Sequence, residues 1–134
     1  MKKVLIVCMG NSCRSIMAEA LINARLDGVE AWSAGVNASG QINAYAKRVL
    51  QEEGIWSDTY HSKQLESLWN EAFDLVVTVC DDAYARCPQF PHDVQKIHRG
   101  FSDPDGKEYG AFILSFQAME AELLDIIKRT LYSQ

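Results

Sequence analysis

Two short stretches of the chain combine residue types that do chemistry. The first is Cys8-Met9-Gly10-Asn11-Ser12-Cys13-Arg14-Ser15, with five residues between Cys8 and Arg14. A C-x5-R spacing alone is a weak signal, and its surroundings strengthen it. An apolar run precedes it and a helical pattern follows it. Gly10 is expected to let the backbone curl so that successive N–H groups point inward as a nest. The positive end of the following helix adds to that field. Arg14 supplies a planar fork suited to a tetrahedral oxyanion. A thiol at the mouth of such a nest is expected to have a depressed pKa and to act as a nucleophile. The loop from Met9 to Ser15 is thus a candidate phosphate or arsenate cradle, with Cys8 at its centre.

The second stretch is Cys80-Asp81-Asp82-Ala83-Tyr84-Ala85-Arg86-Cys87-Pro88. If residues 80–87 formed one helix, the two cysteines would be separated by about 10 Å of rise. A disulfide tolerates roughly 7 Å between α-carbons. Bridging them therefore requires a helix to unwind, and the pair reads as a conformational redox switch. Two packed core cysteines are the plainer alternative. A zinc site from Cys80, Cys87, His92 and His98 matches no usual structural spacing and is not expected.

The elements that must position these stretches alternate. Residues 3–7 form an apolar run of strand length, residues 15–25 a helical pattern ending near Gly28, and residues 29–33 a second strand ending at Gly35. A helix is predicted over 41–53, a short helical turn over 65–69, a strand over 73–79 and a shorter strand over 96–98. The longest helical pattern spans 110–131, with Phe112, Phe116, Met119, Leu123, Ile126 and Ile127 recurring at three and four. This order predicts an α/β three-layer sandwich, with a four-stranded parallel sheet and helices on both faces. Ligands of such sheets bind at the carboxyl ends of strands. Cys8 and Cys80 both fall there, although they are distant in sequence.

A chain of 134 residues, 48% hydrophobic and 23% charged, fits one domain over 1–134 with a core of its own. No apolar run approaches the length of a membrane span. The net charge of −5 offers nothing to nucleic acid or to an anionic membrane. The first apolar run is broken by Gly10-Asn11-Ser12-Cys13-Arg14, so it reads as a strand and not as a signal peptide. A cytoplasmic location is then expected, with four cysteines that start reduced.

The loop C-x-G-N-S-C-R-S after an N-terminal strand resembles the signature of the low-molecular-weight tyrosine phosphatase superfamily. Met17-Ala18-Glu19-Ala20 continues the likeness, and Asp103-Pro104 resembles that family's general-acid loop. The superfamily has two activities, phosphatase and thiol-coupled arsenate reduction. Cys80-x6-Cys87-Pro88, followed by Gly100-Phe101-Ser102-Asp103-Pro104, is similar to the thioredoxin-coupled arsenate reductases. Ser12 also fits the reductases, and the tyrosines that phosphatases often carry after Asp-Pro are replaced here by Asp105 and Gly106.

The resemblance implies a residue-by-residue scheme. Arsenate docks on Met9 to Ser15, and the Cys8 thiolate attacks arsenic. Arg14 and the loop amides hold charge, and Asp103 acts as general acid. Cys80 then attacks Cys8, and Cys87 attacks Cys80. Thioredoxin is the expected reductant; glutaredoxin with glutathione would also serve. No cofactor or metal is expected, and a monomer is the default. Asn11 and Ser15 are expected to shape the loop, with Ser15 bonding the Cys8 sulfur or capping the helix, and Cys13 to be structural. Some members hold potassium through residues matching Asn11, Glu19 and Ser33 plus an aspartate; Lys63 stands at that last position, where its ammonium would pair with Glu19. The rivals are a phosphotyrosine phosphatase, which needs neither Cys80 nor Cys87, and a non-enzymatic thiol switch, which needs no Arg14.

Overall fold

The computed structural model describes residues 1–91 and 93–132. Four parallel strands, β1 (Lys2–Cys8), β2 (Val29–Gly35), β3 (Leu75–Thr78) and β4 (Gln95–His98), form one sheet in the order β2-β1-β3-β4. The chain reaches β2 through helix α1 (Arg14–Arg25) and β4 through helix α3 (Asp81–Arg86), moving outward from the centre in opposite directions. Right-handed crossovers put those two helices on opposite faces of the sheet. The expected α/β sandwich is therefore the observed one. Val4 to Cys8 and all of β3 are buried, because a parallel strand covered on both faces leaves no solvent side.

The strands' carboxyl ends converge on the loop after β1. The sheet order reverses there, with β2 on one side and β3 on the other, which opens a crevice. Cys8 pairs in register with Gly35, and the ladder continues past β3 where Val79 N–H donates to Val7 O. Phe101 N–H donates to Val79 O, so the segment after β4 is laced to the same edge.

Two helix expectations shift for local reasons. Helix α2 runs over Ala44–Glu52 and starts later than 41 because Asn43 caps it, its side chain accepting from the Tyr45 and Ala46 amides. The C-terminal pattern is helix α4 (Tyr109–Ala118), a π-helical turn (Met119–Leu123) and helix α5 (Leu124–Tyr132). The wider turn keeps Met119, Leu123 and Ile127, four residues apart, on one buried line, while Ile126 is only partly covered. The turn expected over 65–69 is a 3-10 turn at Leu65–Leu68.

Candidate active site

The loop after β1 is held from outside. The carbonyls of Cys8, Met9, Gly10 and Ser12 accept from the amides of Val36, Asn37, Ser39 and Asn43, residues that follow β2. Turning the carbonyls outward turns the amides inward. None of the Gly10, Asn11, Ser12 and Cys13 amides donates to a protein acceptor among the described residues. Helix α1 begins at Arg14 with no side-chain cap and no acidic residue in its first turn. Its positive end is thus open to an anion.

The curl is made by Asn11 and not, as expected, by Gly10. Asn11 has φ +49°, a left-handed conformation that non-glycine residues adopt at a cost of about 1–3 kcal/mol when nothing else enforces it. Its fully buried side chain enforces it here. Nδ2 donates to Ser15 Oγ at 2.7 Å and to Ser33 Oγ at 2.9 Å, and Oδ1 accepts from Lys63 N at 2.9 Å. Ser15 therefore neither caps α1 nor forms the expected bond to Cys8 among the described residues; its hydroxyl serves Asn11. Gly35, the last residue of β2, supports the loop, a role that sequence reasoning missed. A Cβ there would lie 2.6 Å from Met9 O and 3.1 Å from Asn11 Cβ, so only glycine admits this close approach. The signal was available: a glycine at the carboxyl end of the strand beside the loop.

Behind the loop, Ser33 Oγ donates to Glu19 Oε1 at 2.5 Å. Burial pushes the Glu19 carboxyl up, while Lys63 and the Ser33 hydroxyl pull it back. Burial pulls Lys63 down against the opposing charge of Glu19. The expected direct Lys63–Glu19 pair is not among the ion pairs of the described residues: Lys63 Nζ donates to His61 O at 3.1 Å and acts on Glu19 through space.

Arg14 reaches across the crevice. Nη1 donates to Phe101 O at 3.1 Å, and Nη2 sits 3.3 Å from Asp103 Oδ2. Nε is buried with no hydrogen-bond partner among the described residues. An orphaned guanidinium donor carries a desolvation cost that an incoming anion relieves. A cavity of about 540 Å³ opens here, lined by Arg14, Cys80, Asp81, Asp82, Gly100, Phe101, Ser102 and Asp103. Asp103 also accepts from the Asp105 amide at 3.0 Å, which fixes the Asp-Pro loop over the cavity.

Cys8 and Cys80, from different strand ends, lie close enough for each thiol to govern the other's ionisation. Both are buried, and both are free thiols. The two thiols titrate as a pair. The Cys8 thiol is pushed up, first by its interaction with Cys80 and next by burial. Cys80 is pulled down to about 6, first by its interaction with Cys8, with help from the Ala83 amide, Arg14 and the Met9 amide. The two sulfurs form a dyad holding one negative charge at neutral pH, since a second thiolate would face the first. The Cys13 thiol is pushed up to about 11, chiefly by burial, which keeps it protonated at that pH.

Cys80 and Cys87 bracket α3 at its two ends. Cys80 Sγ accepts from Ala83 N–H at 3.4 Å, and the partly covered Cys87 Sγ contacts Pro88 O at 3.7 Å. The helical state therefore keeps them apart. Of the discarded zinc set, His92 lies outside the described residues, and His98 is hydrogen-bonded to Thr78 and Asp81.

Residues 3–110 match the family model for low molecular weight phosphotyrosine protein phosphatases. An arsenate reductase of Bacillus cereus is 40% identical over 129 residues, 96% of this chain and 92% of that one. The crystal structure of an arsenate reductase from Archaeoglobus fulgidus has a TM-score of 0.81 at 31% identity, covering 92% of this chain and 98% of that one. A low molecular weight protein tyrosine phosphatase from T. tengcongensis has a TM-score of 0.82 at 27% identity, covering 96% of this chain and 99% of that one. The chain belongs to the low molecular weight phosphotyrosine protein phosphatase family, and the relatives that match it at about 40% identity over most of its length are arsenate reductases.

Proposed function

We propose that the protein reduces arsenate to arsenite through a relay of Cys8, Cys80 and Cys87. The observation that carries this reading is the meeting of the Cys8 and Cys80 thiols beside a guanidinium with one unpartnered donor. A phosphatase needs one such sulfur; a reduction needs a second within reach of the first.

Arsenate replaces Asp103 on the Arg14 fork and engages the loop amides. The coupling of the two thiols lets the remaining proton move to Cys80, so that the Cys8 thiolate attacks arsenic. One arsenic oxygen leaves as water, protonated by Asp103. Cys80 then passes its proton to an arsenic oxygen and attacks the Cys8 sulfur as thiolate. The S–S bond forms, the S–As bond breaks, and its electron pair stays on arsenic, which departs as arsenite. Cys87 attacks Cys80, Cys8 leaves as thiolate, and an external dithiol reduces the Cys80–Cys87 bond by exchange. Thioredoxin is the proposed reductant, with glutaredoxin and glutathione as the alternative. No bound cofactor is invoked. A monomer in a reducing compartment such as the cytoplasm suits this chemistry. No helix among the described residues is long and apolar enough to cross a membrane.

The test mixes fully reduced protein with excess arsenate and counts thiols. The expected result is a fall from four to two, with Cys80 joined to Cys87 by mass mapping. Cys87→Ser is expected to stop at Cys8–Cys80 after one turnover. Four thiols remaining would overturn the reading in favour of the phosphatase. Hydrolysis of an aryl phosphate that survives Cys80→Ser would then be the activity to measure.

A further inference from the structure

The relay needs α3 folded until Cys80 has been oxidised, and unwound afterwards. Its own ends hold it weakly. It has six residues, and isolated helices that short do not persist. Cys80 caps it with a sulfur that accepts best as a thiolate, an acceptor that is lost once Cys80 enters a disulfide. Something outside the helix must hold it, and His98 at the end of β4 occupies that place.

The His98 ring spans the gap between sheet and helix. Nδ1 lies 2.8 Å from Thr78 Oγ1 and 3.1 Å from Thr78 O on β3. Nε2 lies 2.9 Å from Asp81 Oδ1, in the first turn of α3. Tyr84, one turn further along, stacks on the ring with centroids 4.5 Å apart and planes at 28°. Gly100 flanks this contact: a Cβ on it would lie 2.8 Å from Asp81 Oδ1 and 3.4 Å from His98 Nε2. Asp81 and Tyr84 are otherwise exposed, so solvent gives them no reason to adopt these positions.

We propose that His98 is a positioning residue of the relay, a latch that holds α3 helical in the dithiol form by gripping Asp81 and Tyr84. The inference rests on the reading of Cys80 and Cys87 as redox partners. A surface ion pair alone would bias the helix only a few-fold. Together with the stacked ring, the bias is about tenfold. The latch favours the dithiol and has no grip on the unwound disulfide form. Removing it makes the disulfide easier to form and harder to reduce. A tenfold change in that equilibrium corresponds to about 30 mV for a two-electron couple.

The full-length protein, without arsenate, would be equilibrated in buffers of reduced and oxidised dithiothreitol, quenched in acid and mapped for Cys80–Cys87. Oxidised dithiothreitol accepts the two electrons. His98→Ala is expected to shift the midpoint by about 30 mV toward the disulfide. Gly100→Ala displaces the Asp81 carboxylate without removing a latch residue and is expected to shift it the same way. Asp81→Asn keeps an acceptor for Nε2 and is expected to stay within about twofold of wild type. A merely structural His98 would lower the melting temperature of both redox forms and leave the midpoint unmoved. Equal midpoints in wild type, His98→Ala and Gly100→Ala would overturn the latch and leave the relay standing. If wild type forms no Cys80–Cys87 bond at any poise, the relay and the latch fall together.

Discussion

Replacing Cys8 by alanine removes the first-ranked cause of Cys80's acidity and leaves the lesser ones, the Ala83 amide, Arg14 and the Met9 amide. The Cys80 midpoint then moves from about 6 toward the ordinary thiol value of 9.0, to above ~8. At pH 7 the thiolate fraction falls from roughly 90% to between about 10% and 1%. An alkylation rate would understate this. A more basic thiolate is intrinsically more nucleophilic, and a Brønsted slope near 0.4–0.5 recovers about 20-fold if the full change of three decades occurs. The net change in rate at pH 7 is then only about fivefold. The midpoint is the decisive quantity. Iodoacetamide labelling of residue 80 would be followed by mass spectrometry from pH 4 to 10. Wild type should show half-maximal rate near pH 6, and Cys8→Ala above about 8. A midpoint that stays near 6 in Cys8→Ala would refute the dyad and assign the acidity to the helix end and Arg14.

Three further outcomes follow from the loop and its support. Gly35→Ala forces Met9 O or the β2 end to move, because the new Cβ would sit 2.6 Å from that carbonyl. Arsenate turnover should fall at least about tenfold while circular dichroism still reports a folded chain, and a normal turnover number would show that the loop tolerates the shift. Asn11→Gly keeps access to φ +49° but loses the buried amide bonds, whereas Asn11→Ala loses both. Denaturant unfolding should therefore place Ala below Gly by roughly 1 kcal/mol, with both below wild type; equal stabilities would mean that the backbone at Asn11 carries no strain. With the Lys63 charge already acting on Glu19 through space, exchanging potassium for sodium should change turnover by less than about twofold, and strong potassium stimulation would contradict that role for Lys63.

Much of the site was legible because its chemistry is local. Cys8, Arg14 and the intervening loop lie within one turn between a strand and a helix, so spacing and residue type were enough to name an anion cradle. The alternating apolar runs named the parallel sheet, and the sheet rule placed Cys80 on the same edge as Cys8. What failed was finer. Gly10 looked like the hinge because glycine is free in φ, yet three hydrogen bonds, two of them to the distant Ser33 and Lys63, make Asn11 the left-handed one. Gly35 escaped notice because its need for a missing side chain arises only when Met9 packs over it.

Sequence by itself determined the fold class, the anion loop and the cysteine count that a two-electron reduction requires. Those follow from periodicity and from residue chemistry, which need no partner from elsewhere in the chain. Tertiary structure alone decided that Cys8 and Cys80 ionise as a pair, that Arg14 Nε is left without a partner among the described residues, and that His98 faces Asp81 and Tyr84. Each of these depends on contacts between segments separated along the chain, and protonation and hydrogen bonding are fixed by distance in space and not along the chain.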